Sequence, residues 1–140
     1  MSALRFPFDE ILAAISARLL ADKPALKIWA LVPQATPKPY VEMAGISLND
    51  RSFKGTGAME IFTVFSCISA DSSAKDINAI LNDVVGSLTR SPFPVLTGDW
   101  VIEDVDQDGP VEVHKEFDSV EVFWRGSLRF AWLVRDQRAR

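Results

Sequence analysis

Cysteine, histidine and tyrosine each occur only once among the 140 residues of the chain. The single cysteine, Cys67, excludes an intramolecular disulfide and a cysteine-rich zinc site, which favours a reducing compartment. The single histidine, His114, has charged neighbours typical of a surface strand end, and the sequence places no nucleophile or orienting group beside it. Because the usual catalytic side chains are this scarce, we expect no catalytic residue and no metal site.

Positive charge and long apolar runs are also scarce. The net charge is −4, which disfavours a specific nucleic-acid surface, because such surfaces depend on clustered Lys and Arg. Arg135, Arg138 and Arg140 form a small basic end that we interpret as solvated. Charged residues interrupt every apolar run before the roughly 18 residues of a membrane helix, and Asp9 and Glu10 interrupt the region where an export signal would be apolar. We therefore expect no membrane contact.

The hydrophobic and charged fractions, 48% and 24%, are those of an ordinary globular protein. A chain of this length buries roughly two-thirds of its unfolded-state surface, which is enough for one core. No internal repeat or low-complexity segment divides the sequence. We predict a single domain over residues 1–140, with flexible ends at 1–7 and 135–140.

Two segments have the apolar spacing of amphipathic helices. The first runs from Phe8 to Asp22 and has acidic residues in its first turn, where the helix dipole favours them. The second follows Ser73 and Asp76, which have the spacing of a capping box. It stops at Ser91, because the prolines that follow cannot continue a helix.

Stretches of alternating or continuous apolar residues predict six strands. Gly126 interrupts the apolar side of the last and longest of them, so we expect a bend or bulge there. The predicted fold class is α+β, a mainly antiparallel β-sheet with two α-helices packed on one face. The predicted strands are Leu26–Val32, Tyr40–Ile46, Met59–Ser69, Trp100–Val105, Val111–Glu116 and Val120–Val134.

The third of these strands has apolar residues on both faces. Side chains alternate between the two faces of a strand, so neither face is fully polar here. The helices can cover one face, whereas the other needs a further layer, a loop or another protein chain. We interpret that second face as the place where function lies. The first face carries Met59, Ile61, Phe65 and Cys67, and the second carries Glu60, Phe62, Val64, Ser66 and Ile68.

Two short motifs resemble ligand-binding loops only in part. The segment from Asp104 to Gly109 has three alternating aspartates and then the glycine of a calcium loop. Lys115 stands where that loop needs a bidentate glutamate, so a solvated acidic hairpin turn is the better interpretation. Residues 54–57 resemble a fragment of a phosphate loop, but the glycine spacing is wrong and a strand follows.

The last third of the chain is rich in aromatic residues. Core packing explains most of them, and any that stay exposed would suit a protein partner, since aromatic side chains bury a large area with few rotamers to fix. The residues concerned are Trp100, Phe123, Trp124, Phe130 and Trp132.

Several pieces follow one another in a recognisable order. They are the first helix, Val32-Pro33-Gln34, Pro39-Tyr40-Val41, the loop 47–57, the strand Met59 to Ser69, the helix ending at Leu88 and the closing strand Gly126 to Val134. In this order they cover almost the whole chain, which resembles the tail-terminator, or tail-completion, family of bacteriophages, prophages and gene transfer agents.

The resemblance implies a small α+β subunit that forms a ring, typically a hexamer, without cofactor or catalysis. The implied partners are further copies of the chain, the tail tube protein and a head-completion or connector protein. The ring would cap the head-proximal end of the tail tube, stop its growth and join it to the head. The implied location is the bacterial cytoplasm during assembly, and then the tail of a virion or phage-like particle.

A ring needs side-to-side contacts between different surfaces of the subunit. The two-faced strand and the loop before it can supply them. The predicted contact residues are Arg51, Phe53 and Lys54 in the loop, Phe62 and Val64 on the strand, and Arg125 and Arg129 on the last strand. Each of these is explained equally well as an ordinary surface or minor-core residue.

Two other functions stay open at this point. One is an acidic single-domain protein-binding module of the immunity-protein or chaperone type, which would use the acidic segment Asp104–Pro110 as its contact. The other is a small enzyme that depends on His114.

Overall fold

The α+β architecture is confirmed in a computed structural model, which describes residues 7–24, 26, 28–29, 38–49, 58–69, 74–117 and 122–137. Two helices accompany a sheet that is antiparallel except for the pairing of its first two strands. In chain order the elements are α1 (Phe8–Asp22), β1 (Ile28–Trp29), β2 (Tyr40–Asn49), β3 (Ala58–Ile68), α2 (Ala74–Thr89), β4 (Trp100–Gln107), β5 (Glu112–Phe117) and β6 (Val122–Asp136).

Strand β6 lies at the centre of the sheet, whose order is β1-β2-β3-β6-β4. It pairs with β3 along one side, from Arg125 to Arg135. Its other side pairs with two strands in succession: β5 takes residues Val122–Ser127 and β4 takes Phe130–Asp136. The strands β4 and β5 therefore follow one another along a single edge of the sheet.

Both helices pack on one face of this sheet, where the core lies. Directly paired residues of neighbouring strands share a face, so Ile61 and Trp132, and likewise Phe65 and Leu128, meet beneath the helices. Helix α2 presents one apolar stripe to them, as its spacing predicted. The buried residues of that stripe are Ile77, Ile80, Leu81, Val84 and Leu88.

Polar contacts fasten α1 to the end of α2. Arg18 donates hydrogen bonds to the carbonyl oxygens of Ser87 (3.0 Å), Arg90 (3.2 Å) and Pro92, which satisfies carbonyls that a helix end leaves without partners. The Ser87 hydroxyl donates to Asp22 Oδ2 at 2.7 Å, and Arg90 forms an ion pair with the same carboxylate at 3.0 Å. The Ser87 hydrogen bond is the main reason that the pKa of Asp22 lies below its ordinary value.

Gly126 does not form the bend that we expected. The pairing of β6 with β3 runs through it without a shift in register, opposite Cys67. Its role is steric, since a Cβ atom at this position would lie 2.8 Å from Leu81 Cδ2 and 3.2 Å from Leu81 Cγ. The missing side chain lets α2 approach the sheet closely.

The acidic segment is not a hairpin turn. Asp104 and Asp106 lie within β4, and the link that follows leads into β5, which pairs with β6 and not with β4. The reason is Val105, which is buried between the two aspartates and opposite Trp132. Its burial keeps the acidic stretch extended.

Two further boundaries differ from the predictions. In β2 the register shifts between Met43 and Gly45, so the extra residue places Gly45 on the face opposite to that of Met43. The strand also continues to Asn49, into the predicted loop, because Ile46 and Leu48 pack against the core. At the other end of the chain, β6 runs to Asp136, so Arg135 belongs to the sheet and not to a flexible end.

Candidate functional site

The candidate site is the face of the sheet opposite the helices, which we call the outer face. At its centre Phe62 of β3 pairs with Ala131 of β6, and Val64 pairs with Arg129. Phe62 and Val64 are half-buried, and Leu133 nearby is 38% exposed. The centre of the outer face is therefore apolar, as the two-faced pattern of β3 predicted.

Arg129 links this apolar centre to the acidic segment. Its guanidinium carbon lies 4.3 Å from the centre of the Phe62 ring, within the range of a cation–π contact. Its Nε lies 3.1 Å from Asp108 Oδ2. The main chain holds the same two residues together, since the Asp108 N–H donates to the Arg129 carbonyl at 2.7 Å. Arg129 is thus fixed over the ring from two directions.

Two more arginines of β6 form ion pairs on the outer face. Arg125 Nε lies 2.9 Å from Glu116 Oε1, and Arg135 contacts Glu103. Each pair joins β6 to the edge formed by β4 and β5. Since exposed ion pairs contribute at most about 1 kcal/mol each to stability, their main effect is to place alternating charges beside the apolar centre.

The structure brings four of the seven predicted contact residues onto one surface. Phe62, Val64, Arg125 and Arg129 all lie on the outer face. Arg51, Phe53 and Lys54 lie outside the described residues.

Sequence reasoning missed the acidic partners of the arginines. Asp108, Glu103 and Glu116 reach the outer face only because β4 and β5 both pair with β6. No local pattern signals that pairing. The exposure of Leu133 was detectable, because it shares the parity of Arg129 and Arg135 along β6.

The Cys67 thiol and the His114 imidazole both lie away from the apolar centre of the outer face. Burial raises the pKa of the Cys67 thiol to about 12, so it is a poor nucleophile at neutral pH. His114 is exposed, with Nε2 3.7 Å from Glu112 Oε2. Within the described ranges, no group of three His, Cys, Asp or Glu residues is placed to hold a metal ion. That part of the chain also contains no helix with the length and apolarity needed to cross a membrane.

The aromatic residues of the last third are mainly core, as predicted. Trp100, Phe123, Phe130 and Trp132 are buried, while Trp124 is half-buried. The indole Nε1 of Trp132 donates to the Thr63 hydroxyl at 2.8 Å, which satisfies a polar group in the core. Phe62 is therefore the aromatic side chain that the outer face offers at its centre.

Comparison with known proteins gives a match in fold. No family model matches the chain, and no curated protein matches its sequence. Among solved structures, a chain in the virion of a native gene transfer agent particle superimposes with a TM-score of 0.74 at 17% sequence identity. The match covers 94% of this chain and 99% of the other. The protein therefore shares its fold, over nearly its full length, with a chain of a gene transfer agent virion.

Proposed function

We propose that the protein is a structural component of a phage-like particle. The observation that carries this proposal is the fold shared with a gene transfer agent virion chain over 94% of one chain and 99% of the other. The match agrees with the order of sequence pieces that resembles the tail-terminator family.

More specifically, we propose a tail terminator that acts through protein contacts and has no enzyme activity. Several copies form a ring, typically a hexamer, on the head-proximal end of the tail tube. By occupying the surface to which the next tube ring would bind, the ring stops growth and presents a new surface to a head-completion protein. Assembly takes place in the bacterial cytoplasm, and the ring stays in the finished particle.

The outer face supports such a role because of its composition. Protein interfaces draw most of their free energy from a few apolar or aromatic anchors surrounded by polar groups that exclude water. Here Phe62, Val64 and Leu133 form the apolar centre, and the arginine ion pairs lie around it. We propose that this face contacts another protein of the particle.

The test is polymerisation of the cognate tail tube protein with and without the chain, followed by electron microscopy of tube length. We expect short tubes with a cap at one end, and longer tubes when Phe62→Asp replaces the wild type. Val95→Asp is the matched control, because Val95 is 87% exposed and lies outside the sheet. A chain that never alters tube length defeats the proposal, and a permanent monomer that binds another protein through its acidic segment would favour the binding module.

A further inference from the structure

A second apolar surface lies on the helix side of the sheet, beyond the helices. We call β5 and the residues of β6 paired with it, Val122–Ser127, the β5 arm. In the described part of the chain six large hydrophobic residues are exposed, and three of them fall within this arm and the link before it. They are Phe117 (73% exposed), Val111 (45%) and Val113 (39%).

The helices leave the β5 arm uncovered, because α2 contacts β6 at the end of the arm that lies nearer the core. Leu81 of α2 packs against Gly126, which pairs with Val113. Phe117 pairs with Val122, four residues farther along β6. The apolar side of the core thus continues along the arm past the point where the helix packs. Lys115 lies over the Trp124 ring at 5.9 Å, so its aliphatic stem adds to this surface.

The arm also has an open strand edge. Within the described residues β5 pairs only with β6, so no described strand lies along its other edge. Strand β4 forms the other part of this sheet edge. It has a register shift at Glu103 and exposed acidic residues. Bulges and charges are common protections of an edge against another chain. β5 carries exposed charged residues as well, Glu112 and Lys115 among them, but no register shift interrupts it.

Among the described strands, the opposite side of the sheet has a second open edge. Strand β1 pairs with β2 only at Val41 and Glu42. From Met43 to Leu48 no other described strand lies on that side. The helix-side residues of this part of β2, which include Met43, Ile46 and Leu48, are half-buried and apolar.

The two edges match in the polarity of their faces. Val113 and Phe117 of β5 lie on the helix side, like Ile46 and Leu48 of β2. On the outer face both strands are polar, with His114 on β5 and Ser47 on β2 as exposed examples. A strand pairing between these edges would set apolar beside apolar and polar beside polar.

We propose that the open edge of β5 in one copy pairs with the open edge of β2 in the next copy. The occupant is a second copy because the chain itself carries the complementary edge on the far side of its sheet. The contact joins two different surfaces of the chain, so each copy can bind a further copy in the same way. A closed ring forms when the rotation between neighbouring copies brings the last copy back to the first. This assigns the contact between neighbours in the ring of the proposed function and so rests on that proposal.

The test is cross-linking between His114→Cys and Ser47→Cys variants, because both positions are exposed on the outer face. A bismaleimide of about 10 Å spans a few residue positions at about 3.3 Å per residue, so the register need not be known. The buried Cys67 is not expected to react. We expect covalent dimers from a mixture of the two variants, monomers from either one alone, and a ladder from the double variant.

Phe117→Lys provides an independent measurement, since the side chain is 73% exposed and its loss does not disturb the core. We expect Phe117→Lys to reduce both the mass of the assembled protein in solution and the yield of cross-linked dimer. Val95→Lys should leave both unchanged. Dimers from His114→Cys alone would show β5 pairing with β5 and overturn the proposal. Rings that cap tubes without the mixed cross-link overturn this contact but not the function. Cross-linked rings that never cap tubes overturn the function but not this contact.

Discussion

The guanidinium of Arg129 lies 4.3 Å from the centre of the Phe62 ring, on the neighbouring strand of the outer face. The same side chain is held by Asp108 at 3.1 Å. A half-exposed aromatic ring is thereby fixed before any partner arrives. Side chains that are already fixed lose less entropy on binding. This property suits a surface through which every copy binds its partner in the same geometry.

Phe62→Asp is expected to weaken binding to the tube protein and to leave the fold intact. The ring is only half-buried, whereas the loss of an aromatic anchor weakens an interface by about 2 kcal/mol or more, or roughly 30-fold in affinity. Circular dichroism would check the fold, and sedimentation with tube protein would check the binding. Phe62→Leu, which keeps an apolar side chain, should retain most of the affinity, and equal losses in both variants would contradict an anchor that acts through apolar burial.

Thr63→Val is expected to destabilise the fold, because it leaves the buried Nε1–H of Trp132 without its acceptor at 2.8 Å. An unsatisfied buried donor costs about 1–3 kcal/mol. Denaturant unfolding measures this loss. Thr63→Ser keeps the hydroxyl and is the control, and a Val variant as stable as wild type would contradict this role of the hydrogen bond.

Gly126→Ala is expected to lower the free energy of unfolding by about 1–3 kcal/mol, the usual range for overpacking. The new Cβ would lie 2.8 Å from Leu81 Cδ2. Gly86 lies in α2, the helix that carries Leu81, and a Cβ atom there would meet nothing within 4 Å. Gly86→Ala should therefore raise the free energy of unfolding by up to about 1 kcal/mol. In a Leu81→Ala background the cost of Gly126→Ala should disappear, and a cost that persists there would mean that Leu81 is not the cause.

The Asp22 carboxylate should contribute to stability in a pH-dependent way. Its folded-state pKa lies below the ordinary value of 3.8, mainly through the Ser87 hydrogen bond. A depressed pKa means that the contribution is present above the unfolded-state pKa and is lost as the pH falls through the folded-state pKa. Thermal unfolding of wild type and Asp22→Ala should therefore differ at neutral pH and converge below about pH 3.8. A difference that stays constant to lower pH would contradict this.

Cys67 should resist thiol reagents in the folded protein. It is fully buried, and burial raises its pKa to about 12. Because the folded-state pKa is raised, the associated stability is complete below the unfolded-state pKa of about 9.0 and declines above it. Labelling should appear only with unfolding, and fast labelling in native buffer would show that the strand opens locally.

The sequence predicts the faces of the central strands well and the edges of the sheet poorly. Alternation in β3 and β6 depends only on neighbours along the chain, so the outer placement of Phe62 and Arg129 followed from parity. The pairing of both β4 and β5 with β6 is non-local, and no spacing indicates it. For that reason the acidic segment was misassigned as a hairpin turn and the partners of the arginines were missed.

Bulges and close approaches also escaped the sequence. A glycine in a strand signals either a bend or a close neighbour, and only the position of Leu81 decides for Gly126. The register shift in β2 between Met43 and Gly45 likewise depends on its pairing with β3.

The central position of β6 has a consequence for the order of synthesis. It follows every other described element along the chain, yet among the described strands β4 and β5 pair only with it, and β3 pairs with it along one of its two edges. While the ribosome is still adding residues, β3 has an exposed edge and two apolar faces, which makes the nascent chain prone to associate too early. The sheet can close only when β6 inserts between β3 and the edge formed by β4 and β5, so a copy becomes competent to assemble only after β6 has been made.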